Sequence, residues 1–467
     1  MARRILVDVA PLRESREFRL LFFGQLVSTL GTQLTVVAIP YQVYAETHSS
    51  LQVGAVSLAQ LVPLILGALV GGSIGDAVDR RTLLAVTSGA LALTSGALAL
   101  NAMAAHPSVL AIYLISALAA ALSGFVNTAR NAVVPSLVGR NLLLAAYSFM
   151  QVLFQLGSVV GPAISGLLIA AVHLRWVYSI DAITYVLSLL AVVIMAAMPP
   201  AKGATRPGWG SIKEGILYLR GRQQLQGVYV IDLNAMVFGM PRALFPAMAA
   251  TVFHGGATTL GYLYAAVGTG GLLGGLTTGW VERFRRQGLV IICAVVTWGL
   301  AITAFGFSRL LVLSLVLLAV GGWADVVSAV VRNTVLQSSV PEQFRSRMSS
   351  IQMAVVQGGP RLGDLESGAV AAAGGLEVSI VSGGLACIAG ALVLAGVLPR
   401  FRAYVEAERY PGAEIGAASE TAPGTELGVG TELGPDLGAA PAPGAPLNEQ
   451  PGVGAPDGAP GPSLTGS

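Results

Sequence analysis

Charged residues are scarce in this chain. Only 11% of its 467 residues are Asp, Glu, Lys or Arg, whereas soluble domains carry roughly 25%. Hydrophobic residues make up 54% of the chain. So few charges cannot cover the surface of a globular protein, so the composition excludes a soluble protein and predicts a multi-pass membrane protein.

Cysteine and histidine are also rare, which limits the metal and redox chemistry available. The two cysteines, Cys293 and Cys387, lie in apolar runs without zinc or redox spacing, so we interpret them as packing residues. The four histidines fall in or near predicted outer loops: His48, His106, His173 and His254. We therefore expect neither a metal site nor a histidine proton relay.

Motifs for nucleotide hydrolysis and covalent catalysis are missing as well. The sequence contains no G-x-x-x-x-G-K-[ST] loop, so ATP-driven transport by this chain is not expected. No pairing of a nucleophile with a base stands out. We predict that the protein is not an enzyme, has no catalytic residues, needs no cofactor and has no nucleic acid partner.

Long apolar runs dominate what is present. A helix that spans a bilayer needs about 20 mostly apolar residues. Twelve runs meet this requirement: 20–44, 51–73, 82–104, 109–130, 145–170, 175–198, 226–250, 258–281, 288–308, 310–331, 349–374 and 378–399. The sequence predicts an all-α membrane protein with twelve transmembrane helices.

The basic residues predict the orientation of these helices. If the N-terminus is inside, 23 of the 27 Lys and Arg residues, Arg332 among them, fall on the cytoplasmic side. Positive residues favour the cytoplasmic side of a membrane. We therefore expect a protein of the cell membrane with both termini in the cytoplasm.

Composition also divides the chain into parts. A basic loop, 199–225, separates an N-terminal six-helix half, 1–198, from a C-terminal six-helix half, 226–402. The segment 403–467 is acidic and rich in Gly, Pro and Ala. Such a segment cannot bury a core, so we expect a disordered tail.

The two halves share an internal repeat with an offset of 203 and then 202 residues. It relates Gly72 to Gly275, Arg80 to Arg283, Arg130 to Arg332, Gly157 to Gly359, Gly161 to Gly363 and Gly166 to Gly368. Because six helices return the chain to the same side, the halves are parallel repeats. Two such halves around an axis normal to the membrane are the arrangement of major facilitator transporters.

The loop after the second run carries a signature of that superfamily. Gly72, Asp76, Arg80 and Arg81 match G-x-x-x-D-x-x-G-R-[RK], with Asp79 in place of the last glycine. Over residues 15–400 the chain resembles the major facilitator superfamily. The resemblance implies a cytoplasmic latch that stabilises the outward-facing state. Asp76, at the helix end, can face a neighbouring helix N-terminus or a cation such as Arg130. The alternative is that the two arginines only follow the positive-inside rule.

A second signature lies in the fifth run. Gly157, Gly161, Pro162 and Gly166 match G-x-x-x-G-P-x-x-G-G, with Ser165 replacing one glycine. This run resembles the antiporter signature of proton-driven exporters, in which a bend at the proline favours export. The alternative is close helix packing without a bearing on direction. Several shorter runs, such as Ser50-Leu-Gln-Val-Gly54, are similar to the enterobactin exporters and their drug-efflux relatives.

Charges within the predicted helices are candidates for function, because each central charge facing lipid would cost about 2.5–3.5 kcal/mol on insertion scales. Besides Asp181 in the sixth run, the candidates for proton or substrate binding are Asp232, Arg242, Asp325, Arg361 and Asp364. Arg361 and Asp364 have i,i+3 spacing, which allows a structural ion pair or a proton-linked switch.

Arg242 follows Pro241, where local unwinding of the helix is expected. A cavity arginine suits an anionic ligand such as a catecholate. The alternative is an ion pair with a carboxylate elsewhere, for which Asp325 is the candidate.

A polar stripe marks the first run, where Gln25, Ser28, Thr29, Thr32 and Gln33 have spacings of three and four residues. In the superfamily that the chain resembles, helices 1, 4, 7 and 10 line the cavity. Gln25, Thr29, Gln33 and Asn127 in the fourth run are therefore candidate lining residues, or else they form interhelical hydrogen bonds.

These observations predict a secondary transporter that works by alternating access. We expect a monomer in the lipid bilayer that exports a small amphipathic molecule, such as a siderophore or drug-like compound, in exchange for protons. The alternatives are proton-coupled uptake of a solute and a membrane sensor that transports nothing.

Overall fold

The computed structural model describes residues 9–75, 78–196, 217–279 and 284–405. This part of the chain is helical and contains the twelve predicted long helices. They are α1 (Arg16–Thr47), α2 (Ser50–Gly75), α3 (Arg80–Met103), α4 (Val109–Leu137), α5 and α6 (together Leu143–Ile194), α7 (Gln223–Phe238, continued to Val252), α8 (Gly256–Thr277), α9 (Gln287–Phe307), α10 (Leu311–Ser339), α11 (Glu342–Gly374) and α12 (Leu376–Val397).

Apolar length accounts for most of these helices. Within the described ranges, nine helical segments are long and apolar enough to cross a bilayer, and one of them, Leu143–Ile194, holds both α5 and α6. The two long helices outside that set, α8 and α11, are rich in glycine and polar residues. The predicted twelve-helix membrane fold is confirmed.

Two predicted parts lie largely outside the described residues. The structure describes nothing between 196 and 217 in the predicted central loop, and nothing after 405 in the predicted tail. The boundaries predicted for these parts therefore stay predictions.

The helix α7 is interrupted around Pro241, where the sequence predicts local unwinding. The α-helix ends at Phe238, a 3-10 turn spans Arg242–Leu244, and helical structure resumes at Phe245. Proline removes a backbone N–H and clashes with the preceding turn. The expected unwinding at Pro241 is confirmed, and it places Arg242 in a break within the membrane-spanning region.

Three of the four histidines mark helix ends. His48 caps α1 with φ 51°, His173 separates α5 (143–172) from α6 (174–194) with φ 68°, and His254 precedes α8 with φ 50°. These positions agree with their predicted place in or near connections between helices.

The apolar core differs between the two ends of the bundle. We call the end that carries the 47–50 connection the α1–α2 end, and the opposite one the α2–α3 end. One buried cluster joins both halves and includes Val43 and Val53 of the first half with Phe245 and Leu260 of the second. Its first-half members lie toward the α1–α2 end, whereas its second-half members continue to the opposite end, for example at Val335 and Phe401.

At the α2–α3 end each half has an apolar cluster of its own. Phe18, Leu84 and Val133 belong to a first-half cluster, whereas Tyr229 and Met348 belong to a second-half cluster. Residues of both halves therefore meet in one cluster toward the α1–α2 end, whereas the first-half cluster at the α2–α3 end includes no residue of the second half.

Candidate functional site

The second half contains a buried network of charges. Arg332 of α10 lies with its Nη2 atom 2.8 Å from Asp232 Oδ1 of α7 and 3.8 Å from Asp325 Oδ1 of α10. The Arg332 and Asp232 side chains are 2% and 0% exposed. Such a pair can persist in an apolar interior because each charge has a partner of opposite sign.

Hydrogen bonds complete this network. Arg332 Nη1 donates to Ser328 Oγ at 2.9 Å, and Gln352 Nε2 of α11 donates to Asp232 Oδ2 at 3.3 Å. The network thus connects three helices of the second half and can respond to the loss or gain of one proton on a carboxylate.

Arg332 bears on two sequence predictions. The charge count predicts it in a cytoplasmic segment after the tenth run, whereas the structure places it inside α10, which extends to Ser339, with its side chain buried. We also named Asp325 as a partner for Arg242, but its ion-pair partner in the described chain is Arg332. The repeat, which relates Arg332 to Arg130, was the signal that could have identified it.

Arg242 borders a small cavity of about 20 Å³ at the break in α7. Its lining includes Gly239, Arg242, Trp298, Ile302, Gly321 and Asp325. The Arg242 Nε atom is buried and has no hydrogen-bond partner among the described residues. The cavity therefore combines apolar walls with a cation and a carboxylate at the break in α7.

Asp364 of α11 lies beside the other half. Its carboxylate interacts with the guanidinium groups of Arg242 and Arg361, with the Ser57 hydroxyl of α2 and with the Ala243 backbone N–H. Its side chain is buried, and Oδ1 has no hydrogen-bond partner in the part of the chain that the structure describes.

The i,i+3 spacing of Arg361 and Asp364 does not produce the direct ion pair that we considered. The ion pairs within 4.0 Å in the described ranges do not include these two residues. Instead Arg361 Nη1 donates to the Gln357 backbone carbonyl at 2.6 Å. Helix geometry brings the two side chains to one face but does not fix their rotamers.

The glycine and proline residues of α5 pack against two different helices. A β-carbon on Gly157 would lie 3.1 Å from Thr29 Cγ2 of α1, and one on Gly161 would collide with Gln33 of the same helix. On the other face, a β-carbon on Gly166 would lie 2.6 Å from the Ala257 carbonyl oxygen of α8. The backbone stays helical through Pro162.

The equivalent residues of α11 repeat this pattern. Gly359 and Gly363 pack against Met236 of α7, the first helix of their own half. Gly368 packs against Ser50 of α2, and Gly54 of α2 packs against the Asp364 backbone. Two seams, α5–α8 and α2–α11, therefore join the halves at the α1–α2 end, with glycine allowing close approach in each.

The polar residues of α1 lie on two faces, not one stripe. Thr29 and Gln33 contact α5. Thr32 Oγ1 instead lies 2.7 Å from the Tyr185 hydroxyl of α6. In α4, the predicted lining residue Asn127 accepts a hydrogen bond from Arg130 at 2.8 Å. Gln25 has a buried Oε1 with no hydrogen-bond partner among described residues.

The predicted latch is described only in part, because Asp76 lies outside the described residues and nothing is described of the surroundings of Gly72. Arg80 begins α3, and Arg81 Nη2 donates to the Val193 carbonyl of α6. Asp79 caps α3, since its Oδ1 accepts from the Thr82 N–H at 3.1 Å. The latch itself stays a prediction.

Comparison with known proteins places this architecture in a family. Residues 7–426 match the transmembrane secretion effector family. The chain is 30% identical over 346 residues to the enterobactin exporter EntS of Escherichia coli O1:K1 / APEC, which covers 74% of this chain and 83% of that protein. The same values hold for the enterobactin exporter EntS of Shigella boydii serotype 18.

Solved structures resemble the fold. The nucleoside transporter NupG superposes with a TM-score of 0.67 at 14% identity, covering 83% of this chain and 100% of that one. A bacterial homologue of the human lysosomal transporter Spinster, inward-facing and unoccupied, gives 0.64 at 15% identity, covering 83% and 98%.

Proposed function

Since this chain belongs to the transmembrane secretion effector family of major facilitator transporters, we propose that it exports a small amphipathic anion in exchange for protons. That it is a transporter and not an enzyme follows from the family. The direction, the substrate and the coupling ion are the parts proposed.

The observation that carries the proposal is the contrast between the two ends of the bundle. At the α1–α2 end the halves meet at two glycine seams and in one apolar cluster, whereas the first-half cluster at the α2–α3 end includes no residue of the second half. Alternating access needs two rigid halves that close at one end at a time. The arrangement corresponds to one of the two states of such a cycle.

The distribution of basic residues supports an orientation for this state. If the termini are cytoplasmic, as the positive residues favour, the closed α1–α2 end faces outward. The transporter is then inward-facing, the state in which an exporter takes its substrate from the cytoplasm.

Arg242 and its cavity support the choice of substrate. A guanidinium can donate two hydrogen bonds to a carboxylate or catecholate, and Trp298 and Ile302 offer apolar contact in the same cavity as Arg242. Two relatives that are 30% identical are named as enterobactin exporters. We therefore favour a catecholate siderophore over an uncharged drug-like compound.

The buried carboxylates support proton coupling. Protonation of Asp232 or Asp325 would remove one of the two negative charges that stabilise Arg332. The Arg332 guanidinium would then need another anion or hydrogen-bond acceptor. Asp364 lies between Arg242 and the α2–α11 seam. A charged substrate at Arg242 can therefore affect, through Asp364, how closely the two halves pack at that seam.

Proteoliposomes loaded with a catecholate siderophore and a pH-sensitive dye test the proposal. Imposing a proton gradient should drive siderophore efflux together with proton influx, and an uncoupler should abolish the efflux. Efflux that persists at the same rate with the uncoupler would overturn proton antiport. Transport only in the opposite direction would favour uptake, and a protein that moves no solute in either direction would favour a sensor.

A further inference from the structure

Asp181 of α6 is a buried carboxylate that the second-half network does not include. Its side chain is 1% exposed and accepts two hydrogen bonds at Oδ2, one from Thr35 Oγ1 of α1 and one from Ser95 Oγ of α3, both at 2.7 Å. Hydroxyl groups are therefore its donors, from two different helices.

Among the described residues, this carboxylate has no neighbouring cation. Within the described ranges, no Lys, Arg or His nitrogen lies within 4.0 Å of Asp181. By distance and angle its buried Oδ1 atom has no hydrogen-bond partner there, although the Thr184 hydroxyl lies beside the carboxylate and donates to the Asp181 backbone carbonyl at 2.7 Å. An isolated buried charge is far more costly than a buried neutral polar group.

The titratable groups nearest to Asp181 lie on its own helix. One turn before it, the Tyr178 hydroxyl donates to Gln42 Oε1 at 2.8 Å. One turn after it, the Tyr185 hydroxyl lies 2.7 Å from Thr32 Oγ1. The groups that face it from α1 and α3 are the hydroxyls of Thr35 and Ser95, which do not titrate near neutral pH.

We propose that Asp181 is a proton-binding site of the first half, protonated while α1, α3 and α6 pack as they do in this structure. The proton would sit on the unpartnered Oδ1, while Oδ2 keeps the two hydroxyl donors. Intramembrane ionisable residues commonly mark proton or ion pathways. The Tyr178–Gln42 and Tyr185–Thr32 pairs extend polar groups along the α1–α6 seam on both sides of the carboxyl.

Through Thr35, the protonation state of Asp181 can affect how α1 packs during the transport cycle. Thr35 and Gln33 belong to the same helix, and Gln33 packs on Gly161 of α5, whose other face forms the α5–α8 seam. Loss of the proton creates a charge that must gain donors or water, which favours rearrangement of α1. This role rests on the proposed proton-coupled export, whereas protonation itself is a property of the chain alone.

Infrared difference spectroscopy of the purified protein in lipid nanodiscs tests the site without substrate. Between alkaline and acidic pH, the wild type should gain a carbonyl stretch from a buried protonated carboxylic acid. Asp181→Asn should lack this component. An unchanged band in Asp181→Asn would overturn the proposal, whether or not the protein exports siderophore.

Two hydroxyl variants keep the test informative if Asp181→Asn does not fold. Ser95→Ala removes one donor that stabilises the ionised carboxylate, so the band should persist to more alkaline pH than in the wild type. Thr94→Val is the matched control, because the neighbouring Thr94 hydroxyl donates to the Leu91 carbonyl of its own helix. Equal spectra for these two variants would contradict the proposal.

Sodium provides a further check on the identity of the ion. A proton site should give the same pH difference spectrum in sodium and in potassium buffers at equal ionic strength. If sodium replaces the acid band and potassium does not, the site binds a metal cation and the proton assignment is wrong.

Discussion

The two halves of the bundle stabilise buried carboxylates in different ways. In the second half Asp232 has a guanidinium partner at 2.8 Å, contributed by another helix. In the first half Asp181 has hydroxyl donors from two helices and no cation within 4.0 Å in the described ranges. A duplicated fold has thus kept its helices while its charges have diverged.

The repeat shows where the charges diverged. Arg130 of the first half corresponds to Arg332, but the position equivalent to Asp325 is Ser123, whose hydroxyl donates to the Ala119 carbonyl. Arg130 donates to Asn127 instead of pairing with a buried carboxylate of its own helix. The first half therefore has separated its cation from its carboxylate, while the second half keeps them together.

The largest expected effect comes from removing the cation of the second half. Arg332→Met leaves the buried Asp232 carboxylate without its cation and removes the ion-pair partner of Asp325, which should destabilise the protein by about 3–5 kcal/mol. The midpoint of thermal unfolding, followed by intrinsic fluorescence in detergent, measures the change.

Two further variants sharpen this comparison of the halves. Arg332→Met combined with Asp232→Asn should regain part of the lost stability, because fewer unpaired charges remain. Arg130→Met, in the equivalent position that is less completely buried, should lower the unfolding midpoint less. Equal losses for Arg130→Met and Arg332→Met would show that the two halves do not differ in this way.

The next largest effect is expected from overpacking the two seams between the halves. Substitutions at the α5–α8 and α2–α11 seams should have similar effects. Gly261→Val at the α5–α8 seam and Gly54→Val at the α2–α11 seam each place a side chain against the backbone of the other half. Overpacking of this kind costs about 1–3 kcal/mol. Both variants should abolish transport by preventing closure at the α1–α2 end, as measured by siderophore efflux from proteoliposomes.

Gly275→Val is the matched control on α8. A β-carbon there meets no atom within 4 Å, so efflux should continue near the wild-type rate. Distances between spin labels on opposite sides of each seam should increase in the Gly261 and Gly54 variants. Loss of transport in all three variants would indicate a general effect of valine in these helices.

Arg242 is expected to act on binding more than on folding. Arg242→Ala should weaken the binding of dihydroxybenzoate about tenfold or more, since a hydrogen bond to a charged group contributes about 1.5–3 kcal/mol. Trp298, one of five tryptophans, lines the same cavity, so the part of the fluorescence quenching that Trp298→Phe removes reports binding at this site. Gln33→Ala, in the first half, should change the affinity less.

Residues could be assigned to helices from the sequence because apolar length and basic loops are properties of contiguous segments. The twelve helices and the break at Pro241 followed from such local signals. By contrast, the spacing of the polar residues in α1 predicts a single stripe, whereas the structure shows that they lie on two faces. Spacings of three and four cover a broad arc of a helix, and only the neighbouring helices separate Thr29 from Thr32.

The partners of the buried charges could not be predicted in this way. Asp232 and Arg332 are separated by 100 positions in the chain, and nothing in their spacing brings them together. Arg332 was assigned to a loop because an arginine near the end of an apolar run favours the cytoplasmic side. Its place inside α10 depends on a carboxylate contributed by α7, which is a tertiary contact.

The smallest expected effect concerns Asp79, the residue that precedes α3. Asp79 stands where the superfamily signature has glycine, and it caps α3 by accepting from the Thr82 N–H. Asp79→Ala should therefore destabilise the protein by about 1 kcal/mol. Asp79→Asn should have little effect, because asparagine caps helices about as well as aspartate. Thermal unfolding distinguishes the two variants. If Asp79→Asn stops siderophore efflux without lowering the unfolding midpoint, the charge at this position belongs to the predicted latch and is more than a helix cap.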